Sequence, residues 1–321
     1  MMNDKGFRHV YGPVPSRRLG RSLGIDLVPL KVCNYDCIYC QLGRTTQKTL
    51  ERKPYVAIET ILAELKQKLA SSDVPDYISL AGSGEPTLNS EIGGLIQKIK
   101  QMTHIPVAVL TNGSLLWMPE VREALLTADL VLPSLDAGDE ELFRYVNRPH
   151  PAISFEQMVE GITEFTRIFQ GEVWLEIMLL AGVTGMPAEI KKIAALAGRI
   201  RPARTQLNTV CRPPAEEFAF ALSATQIRVM KKYFPAPVDI ISHRRRDRSL
   251  ASASFHVSSQ DVLALLSRRP CTSSDIASGL NMPLNEVLKQ LDVLATAGKL
   301  STSVTSGKRF YTIIQPPEES K

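Results

Sequence analysis

The sequence predicts an α/β protein with two units, a large one built on a parallel sheet and a smaller, mainly helical one at the C-terminus. Three observations support this prediction. Short β-rich runs alternate with helical stretches over residues 23–210, a segment rich in proline and arginine follows, and a second pattern begins near residue 255. Strands that alternate with helices in this way are typical of repeated βαβ units, whose strands lie parallel.

The large unit is expected to contain six strands joined by five helices. The predicted strands are Leu23–Leu27, Tyr77–Leu80, Pro106–Leu110, Leu130–Pro133, Val173–Leu180 and Gln206–Val210. The predicted helices are Ile58–Ala70, Glu91–Met102, Pro119–Ala128, Ser154–Phe169 and Pro187–Arg199. Six strands are too few for a complete eight-stranded barrel, so an open, partial (β/α)6 barrel or a doubly wound sheet would accommodate them. Either architecture puts the functional site at the C-terminal ends of the strands.

The small unit is expected to be a winged helix-turn-helix domain. Helical patterns cover residues 258–267, 272–280 and 283–297, and two β-rich runs, Leu300–Val304 and Arg309–Ile314, flank a Ser-Gly turn. The order of three helices and a hairpin resembles the winged-helix fold. The predicted boundaries are 1–248 for the large unit, 254–315 for the winged helix and 316–321 for a disordered tail, with Arg244–Ser254 as the linker.

Composition and charge place the chain among folded cytosolic proteins. Hydrophobic residues make up 44% and charged residues 22%, which is enough apolar material for a core. No run of about 18 apolar residues predicts a membrane helix, and the polar N-terminus shows no secretory signal, so a cytoplasmic location without membrane contact is expected. The net charge of +5 permits anionic partners without requiring nucleic acid.

Three of the five cysteines, Cys33, Cys37 and Cys40, fall within eight residues after the first predicted strand. A cytosolic chain does not use five cysteines as a disulfide framework, so this spacing indicates metal or redox chemistry. A cubane iron–sulfur cluster normally has four thiolate ligands, and three would leave one iron open to another ligand. The alternative is a structural zinc site, which requires four ligands, and no fourth His or Cys lies near the loop.

These cysteines, with the aromatic Tyr39 just before the third, resemble the C-x3-C-x-aromatic-C loop of radical S-adenosylmethionine (radical SAM) enzymes. Further elements of that family follow in order: Gly82–Pro86 after the second strand, Thr111–Gly113 after the third and Ser134–Asp136 after the fourth. The resemblance covers roughly residues 15–212 and implies a partial (β/α)6 radical SAM barrel. It also implies one [4Fe–4S] cluster and S-adenosylmethionine as cofactors. In that family, reductive cleavage of S-adenosylmethionine gives a 5′-deoxyadenosyl radical that abstracts hydrogen from the substrate.

The resemblance also implies the cofactor-binding residues. Glu85 is expected to accept hydrogen bonds from the methionine ammonium, with Gly82 and Gly84 letting the backbone come close; a plain turn is the alternative. Tyr39 is expected near the adenine, or packed beside the cluster. The other candidates are polar residues at strand ends and one carboxylate within an apolar strand: Thr111, Asn112, Ser134, Asp136 and Glu176. For the strand-end residues, ribose recognition and helix capping are both open as roles. Glu176 is a charge in an apolar strand, so it must face a polar cavity or a partner.

Three short motifs resemble the radical group that includes the wyosine synthetases of transfer RNA. They are Pro13–Gly24, Lys31–Asn34 and Asn208–Pro214. Within them, Arg17 or Arg212 is expected either to bind an anionic substrate or to form a salt bridge that holds a loop. Archaeal wyosine synthetases carry a second cluster, but the other cysteines here are too few and too widely separated to hold one. A single-cluster relative with a different reaction is therefore expected.

These features favour a radical SAM oxidoreductase or transferase of unknown, RNA- or nucleotide-related substrate, with a reductant of the flavodoxin or ferredoxin type as partner. The alternatives are a redox-sensing transcriptional regulator that binds DNA through the winged helix, and an iron–sulfur electron-transfer protein. The Gly82–Pro86 element favours the enzyme, because neither alternative needs a cofactor cradle. The third helix carries Glu286 and Asp292 against Lys289, a weak face for a DNA groove, so nucleic acid, a protein partner and a lid are all open as roles for the winged helix.

Overall fold

The structure is a computed structural model that describes residues 9–71, 74–241, 259–280, 282–305 and 307–314. The predicted linker and tail lie outside the described residues.

The strands are β1 (Val10–Ser16), β2 (Gly20–Ile25), β3 (Val32–Cys33), β4 (Gln47–Lys48), β5 (Tyr77–Leu80), β6 (Val107–Thr111), β7 (Leu130–Pro133), β8 (Glu172–Leu179), β9 (Arg204–Thr209), β10 (Val238–Ile240), β11 (Leu300–Thr305) and β12 (Lys308–Ile313). The helices are α1 (Ile58–Ser71), α2 (Ile92–Met102), α3 (Pro119–Leu125), α4 (Glu140–Val146), α5 (Phe155–Ile168), α6 (Pro187–Ile200), α7 (Ala224–Met230), α8 (Ser259–Leu266), α9 (Ser273–Gly279) and α10 (Leu284–Thr296).

An eight-stranded sheet forms the large unit, in the order β1-β2-β5-β6-β7-β8-β9-β10. Neighbouring strands from β2 to β10 are parallel, whereas β1 and β2 form an antiparallel hairpin at one edge. The predicted α/β class with a mainly parallel sheet is thus confirmed. The strands follow one another in chain order. Because a doubly wound sheet reverses its order at a switch point, this order favours the singly wound arrangement that a partial barrel requires.

The core lies between the sheet and its helices. Strands β5, β6 and β7 are almost fully buried and are nearly continuous apolar runs, as expected for parallel strands covered on both faces. Helix α2 buries Ile92, Leu95, Ile96 and Ile99, each 0% exposed, at the spacing of a single helical face. These apolar contacts hold the strands in alignment. The polar residues that follow the strands therefore meet at one end of the sheet.

All six predicted strands and five predicted helices occur, with ends shifted by a few residues. The sequence analysis missed β1, β10, α4, α7 and the two short strands β3 and β4. Strand β1 carries Pro13 and Pro15, which argue against a strand. It tolerates them because an edge strand pairs on one side only. The hairpin it forms with β2 brings Arg17 and Arg18 to the rim of the sheet.

The C-terminal unit has the predicted order of elements, helices α8, α9 and α10 followed by the antiparallel pair β11 and β12. Its buried cluster includes Val262, Leu266, Val287 and Leu291, and this cluster also contains Val14 of β1. The unit therefore packs on the β1–β2 hairpin and shares apolar contacts with the large unit. Its description as a winged helix is still a prediction that rests on the order of elements.

Among the described residues, no helix is both long and apolar enough to cross a membrane.

Candidate functional site

A cavity of about 390 Å³ lies at the C-terminal ends of the parallel strands. Its wall is formed by the cysteine loop, by the turn Gly82–Glu85 after β5, by the ends of β6 to β9 and by residues of the C-terminal unit. This is the position expected from the parallel sheet, because the loops that follow the strands gather at this edge.

Cys33, Cys37 and Cys40 are free thiols, and all three line the cavity. Each sulfur has a hydrogen-bond donor nearby. Asn112 Nδ2 lies 3.8 Å from Cys33 Sγ, and Asn147 Nδ2 lies 3.5 Å from Cys37 Sγ. The third donor is Lys31 Nζ, at 3.5 Å from Cys40 Sγ. Donors to the sulfurs are one of the means by which proteins tune iron–sulfur clusters.

The chemistry of these thiols fits a cubane cluster. Burial raises the pKa of Cys33 to about 12, with a further contribution from the Glu85 carboxylate, and burial also raises the pKa of Cys37 well above its ordinary value. The thiolates therefore need a positive partner, which iron supplies. The described residues hold no group of three or more His, Cys, Asp or Glu side chains arranged around a single metal ion. A cubane needs no such group, because its thiolates bind different irons.

Asp136 lies behind the cavity wall and anchors the cysteine loop. Its Oδ2 accepts hydrogen bonds from the Tyr39 hydroxyl and, at 2.8 Å, from Asn147 Nδ2, while Oδ1 accepts from Met178 N at 2.9 Å. Burial raises the pKa of Asp136 to about 6, against the effect of these hydrogen bonds. Because Asn147 also donates to Cys37 Sγ, the carboxylate is linked to a cluster ligand through one side chain. The geometry gives Asp136 a positioning role, and the direct cofactor contact expected from the sequence stays a prediction.

Glu85 lines the cavity and is 2% exposed. Its Oε1 accepts from Thr87 N at 3.1 Å, from Thr87 Oγ1 at 2.6 Å and from Thr111 Oγ1 at 2.6 Å, and its Oε2 accepts from Asn112 N at 2.8 Å. Burial raises the pKa of Glu85, although these hydrogen bonds favour the charged form. The carboxylate thus ties the turn after β5 to the end of β6. Since Oε2 has one partner, it retains capacity for a further donor.

Gly82 and Gly84 are required by the chain's own packing. Gly82 has φ +117°, and a Cβ there would lie 1.9 Å from Asp26 Oδ1. At Gly84 a Cβ would lie 1.8 Å from Val32 O, the carbonyl just before Cys33. The sequence analysis expected these glycines to admit a cofactor. In the structure they let the turn Gly82–Glu85 pack against Asp26, just after β2, and against β3, which enters the cysteine loop. Both glycines also line the cavity, so the expected approach of a cofactor stays a prediction.

The polar residues at the end of β6 form one hydrogen-bond network with Asn34 and Glu85. Asn112 Nδ2 donates to Asn34 Oδ1 at 2.6 Å, and Asn34 Nδ2 donates to Ser114 Oγ at 2.6 Å. Thr111, Asn112 and Ser134 line the cavity beside Glu85. This network fixes the end of β6 against the cysteine loop, and it explains why amide and hydroxyl side chains follow the strand.

Glu176 lies within β8 and faces the cavity, as its position in an apolar strand predicted. Its Oε1 accepts from Arg18 and, at 3.0 Å, from Asn208 Nδ2. Burial raises the pKa of Glu176, but Arg18 and Asn208 more than offset this effect, and the pKa lies below its usual value. The ion pair therefore keeps the carboxylate charged inside the cavity.

The C-terminal unit supplies three cavity residues that the sequence analysis missed, Leu265, Arg268 and Arg269. Arg268 Nη2 lies 3.2 Å from Asp26 Oδ2, and its guanidinium carbon lies 4.3 Å from the centre of the Tyr11 ring. Arg212, which follows β9, donates from Nε to Pro270 O at 3.1 Å. The C-terminal unit therefore closes one side of the cavity. In the sequence, Arg268 and Arg269 are only a charged pair after an apolar run. The residues around them give no indication that they reach the cavity at the sheet.

Every site residue proposed from sequence lines the cavity except Asp136, which lies behind it. Asn34 and Asn147 were not proposed as functional residues. Asn147 is the C-terminal cap of α4, a helix that the sequence analysis missed. The local sequence therefore did not indicate that Asn147 lies near Cys37.

The chain matches the Radical SAM superfamily over residues 27–197. Proteins of that superfamily bind a [4Fe–4S] cluster and S-adenosylmethionine, which confirms the predicted cofactors. The fold is similar to that of a radical SAM methyltransferase from Sphaerobacter thermophilus, with a TM-score of 0.53 and 16% identity over 68% of this chain and 66% of that one. At this identity the likeness concerns the fold alone.

Two sequence relatives match almost the whole chain. A UPF0026 protein from Methanocaldococcus jannaschii is 33% identical over 308 residues, which are 94% of each chain. A protein named GTPase Obg from Brachyspira hyodysenteriae is 40% identical over 308 residues, and the match covers 95% of this chain but only 45% of that relative's length. The chain belongs to the Radical SAM superfamily, alongside the UPF0026 proteins.

Proposed function

We propose that the protein is a radical SAM enzyme that cleaves S-adenosylmethionine reductively and abstracts a hydrogen atom from its substrate. One observation carries this proposal: Cys33, Cys37 and Cys40 are free, face a single cavity and have separate hydrogen-bond donors at their sulfurs. When bound, the cluster and S-adenosylmethionine supply the electron and the radical for this chemistry. The chain's residues provide ligands, orientation and exclusion of water.

In this proposal, three cavity residues orient S-adenosylmethionine. The free capacity of Glu85 Oε2 suits the methionine ammonium, because a buried carboxylate binds a cation through a charge-assisted hydrogen bond. Ser134 and Glu176 lie on the neighbouring strand ends and offer a hydroxyl and a carboxylate to the ribose. Tyr39, whose hydroxyl is bonded to Asp136, presents its ring beside the cluster loop.

We further propose a reductant of the flavodoxin or ferredoxin type and a cytoplasmic location. A relation to the wyosine group, and with it an RNA- or nucleotide-related substrate, rests on the short motifs Pro13–Gly24, Lys31–Asn34 and Asn208–Pro214. The relatives described above lend no support to the transcriptional-regulator alternative.

The test is product analysis of the anaerobically reconstituted, chemically reduced protein with S-adenosylmethionine. Mass spectrometry is expected to find 5′-deoxyadenosine with the wild type and none with Cys37→Ala. Cys271→Ala, at a buried cysteine of the C-terminal unit, is the matched control and is expected to retain the activity. Wild-type protein that carries its cluster and binds S-adenosylmethionine, yet forms no 5′-deoxyadenosine at any reductant concentration, would contradict the proposal.

A further inference from the structure

We propose that the cavity recognises a small phosphate ester, whose phosphate group is bound by Arg17, Arg212 and Arg269 where the β1–β2 hairpin, β9 and the C-terminal unit meet. This inference rests on the proposed function, because the phosphate ester is the substrate of that reaction. It also gives the C-terminal unit a role, since Arg269 belongs to it.

The cavity is strongly cationic. Its carboxylates are Glu85 and Glu176, and its cations are Arg17, Arg18, Lys31, Arg212, Arg268 and Arg269. Three of these cations have partners of their own. Arg18 pairs with Glu176, Lys31 donates to Gly43 O, and Arg268 pairs with Asp26.

The three remaining arginines are poorly compensated. Among the described residues, Arg17 donates to a neutral partner, Asn208 Oδ1, at 3.3 Å, and Glu176 acts on it only from a longer range. Arg269 forms no ion pair there, although Asp275 lies within its electrostatic range. Arg212 is 8% exposed, and its nearest carboxylate oxygen, Asp275 Oδ2, is 3.9 Å from Nη2. Buried charges of like sign destabilise one another unless an opposite charge joins them.

The electrostatics of Arg212 connect the group. Burial and the neighbouring Arg269 lower the pKa of Arg212, although Asp275 acts in the opposite sense. Burial, Arg18 and Arg212 similarly lower the pKa of Arg17, against the effects of Cys211 and Glu176. Arg212 thus lies within electrostatic range of both Arg17 and Arg269. In addition, Arg18 Nε is buried and has no hydrogen-bond partner among the described residues. The junction therefore presents more positive charge and more donors than the described residues satisfy.

A phosphate dianion matches this arrangement. Guanidinium groups bind phosphate oxygens through paired, charge-assisted hydrogen bonds. Three guanidinium groups match the charge of a phosphate dianion better than they match the charge of a single carboxylate. The size of the ligand follows from the closure of the cavity. Arg212 donates to Pro270 O, and Arg268 pairs with Asp26, so the C-terminal unit is tied over the junction. This closure favours a small ester over a nucleic acid strand.

The junction is also close to the chemistry. Arg212 Nη1 lies 3.4 Å from Gln41 Oε1, and Gln41 directly follows Cys40. A phosphate bound at the junction would leave the rest of the ester pointing along the cavity toward the cluster loop. The arginines then act as an orienting anchor and take no part in the bond-breaking steps.

The experiment is calorimetric titration of the full-length, cluster-loaded protein saturated with S-adenosylmethionine, with inorganic phosphate as the probe. The variants are Arg17→Gln and Arg269→Gln, and the matched control is Lys299→Gln at an exposed position of the C-terminal unit. Phosphate affinity is expected to fall roughly 10-fold or more in each arginine variant and to stay unchanged in the control. S-Adenosylmethionine affinity is expected to stay within about twofold of the wild type in all of them.

Succinate and a single-stranded RNA oligonucleotide are titrated in parallel. Phosphate binding that Arg17→Gln and Arg269→Gln both weaken supports the site. Phosphate affinity equal in wild type and both variants overturns it, as does tighter binding of succinate or of the oligonucleotide than of phosphate. These outcomes are independent of 5′-deoxyadenosine formation, so failure of the phosphate site and failure of the proposed reaction are distinguishable.

Discussion

The two ends of the cavity differ in how their polar groups are satisfied. At the cysteine end, Glu85 and Asp136 accept all their hydrogen bonds from the chain itself, through short contacts with strand ends and with the loop. At the far end, Arg17 and Arg269 face the cavity without an ion pair among the described residues. The chain itself holds the carboxylates of the first end, with capacity left at Glu85 Oε2, whereas it leaves the arginines of the second end to a ligand.

This difference has a physical reason. Cluster ligands must be held in fixed positions, and buried, fully hydrogen-bonded carboxylates provide that rigidity. A substrate site needs the opposite, because a polar group that is already satisfied contributes little when a ligand arrives. The two ends should therefore respond differently to mutation. Changes at the cysteine end should cost cluster, stability or S-adenosylmethionine binding, and changes at Arg17 and Arg269 should cost substrate binding alone.

The largest effect is expected at the cysteines. Ala in place of Cys33, Cys37 or Cys40 should reduce bound iron from about four per chain to nearly none, since two thiolates do not hold a cubane. Iron and sulfide analysis with the brown absorbance of the anaerobically reconstituted protein measures this.

Cys211→Ala and Cys271→Ala are the matched controls and should retain full iron. Cys211 lines the cavity next to Arg212, so it is the more stringent of the two. About eight irons per chain in the wild type would contradict a single-cluster protein.

The next effect is expected at Asp136. Asp136→Ala would leave Met178 N, Asn147 Nδ2 and the Tyr39 hydroxyl without their acceptor. Each buried, unpaired donor costs about 1–3 kcal/mol, so the free energy of unfolding should fall by roughly 3 kcal/mol or more. Thermal denaturation measures the loss, and iron content should fall as well because Asn147 no longer steadies Cys37.

Asp139→Ala is the control for this prediction. Asp139 caps α4 through Leu142 N at 2.9 Å and pairs with Lys192 at the surface, so its loss should cost about 1 kcal/mol and leave iron unchanged. If Asp136→Ala keeps its stability and iron but loses S-adenosylmethionine affinity, Asp136 contacts the cofactor directly and the positioning role is wrong.

The sequence predicted the cysteine end far better than the far end. Local patterns are sufficient for the alternation of strands and helices, for the cysteine spacing and for the polar residues that end β6 and β7. The sequence did not reveal why the chain's own packing needs the two glycines, because the close approaches at Gly82 and Gly84 are to Asp26 and Val32. Such contacts join segments that are far apart in sequence, and spacing carries no information about them.

The far end depends on docking between units. Arg269 reaches the cavity because the C-terminal unit packs on β1, through a cluster that includes Val14. Strand β1 itself was missed on account of its prolines. Without that strand no surface for the C-terminal unit is predictable, so the sequence treated the unit as a separate module.

A smaller effect is expected at Glu85. Glu85→Ala should weaken S-adenosylmethionine binding roughly 10- to 100-fold, corresponding to about 1.5–3 kcal/mol for a buried, charge-assisted hydrogen bond. Equilibrium dialysis with the cluster-loaded protein measures it. Thr87→Val is the control: it removes a hydroxyl that donates to Glu85 Oε1 at 2.6 Å and leaves the carboxylate in place, so affinity should change little. Equal affinity in Glu85→Ala and wild type would mean that the carboxylate only ties β5 to β6.

The smallest effect is expected where the C-terminal unit meets the turn Gly82–Glu85. Arg268 pairs with Asp26, and Asp26 Oδ1 accepts from Ser83 N at 3.0 Å, so the turn and the unit are joined through one carboxylate. Both side chains are largely buried, 16% and 8% exposed, which makes the pair more than a surface contact. Arg268→Gln should loosen the unit, admit water and raise the substrate-free formation of 5′-deoxyadenosine several-fold at unchanged iron content. The exposed Arg309→Gln is the control and should match the wild type. An unchanged rate in Arg268→Gln would show that the C-terminal unit does not seal the cavity. Loss of iron would show that the C-terminal unit, through Asp26, also helps to hold the cysteine end of the cavity.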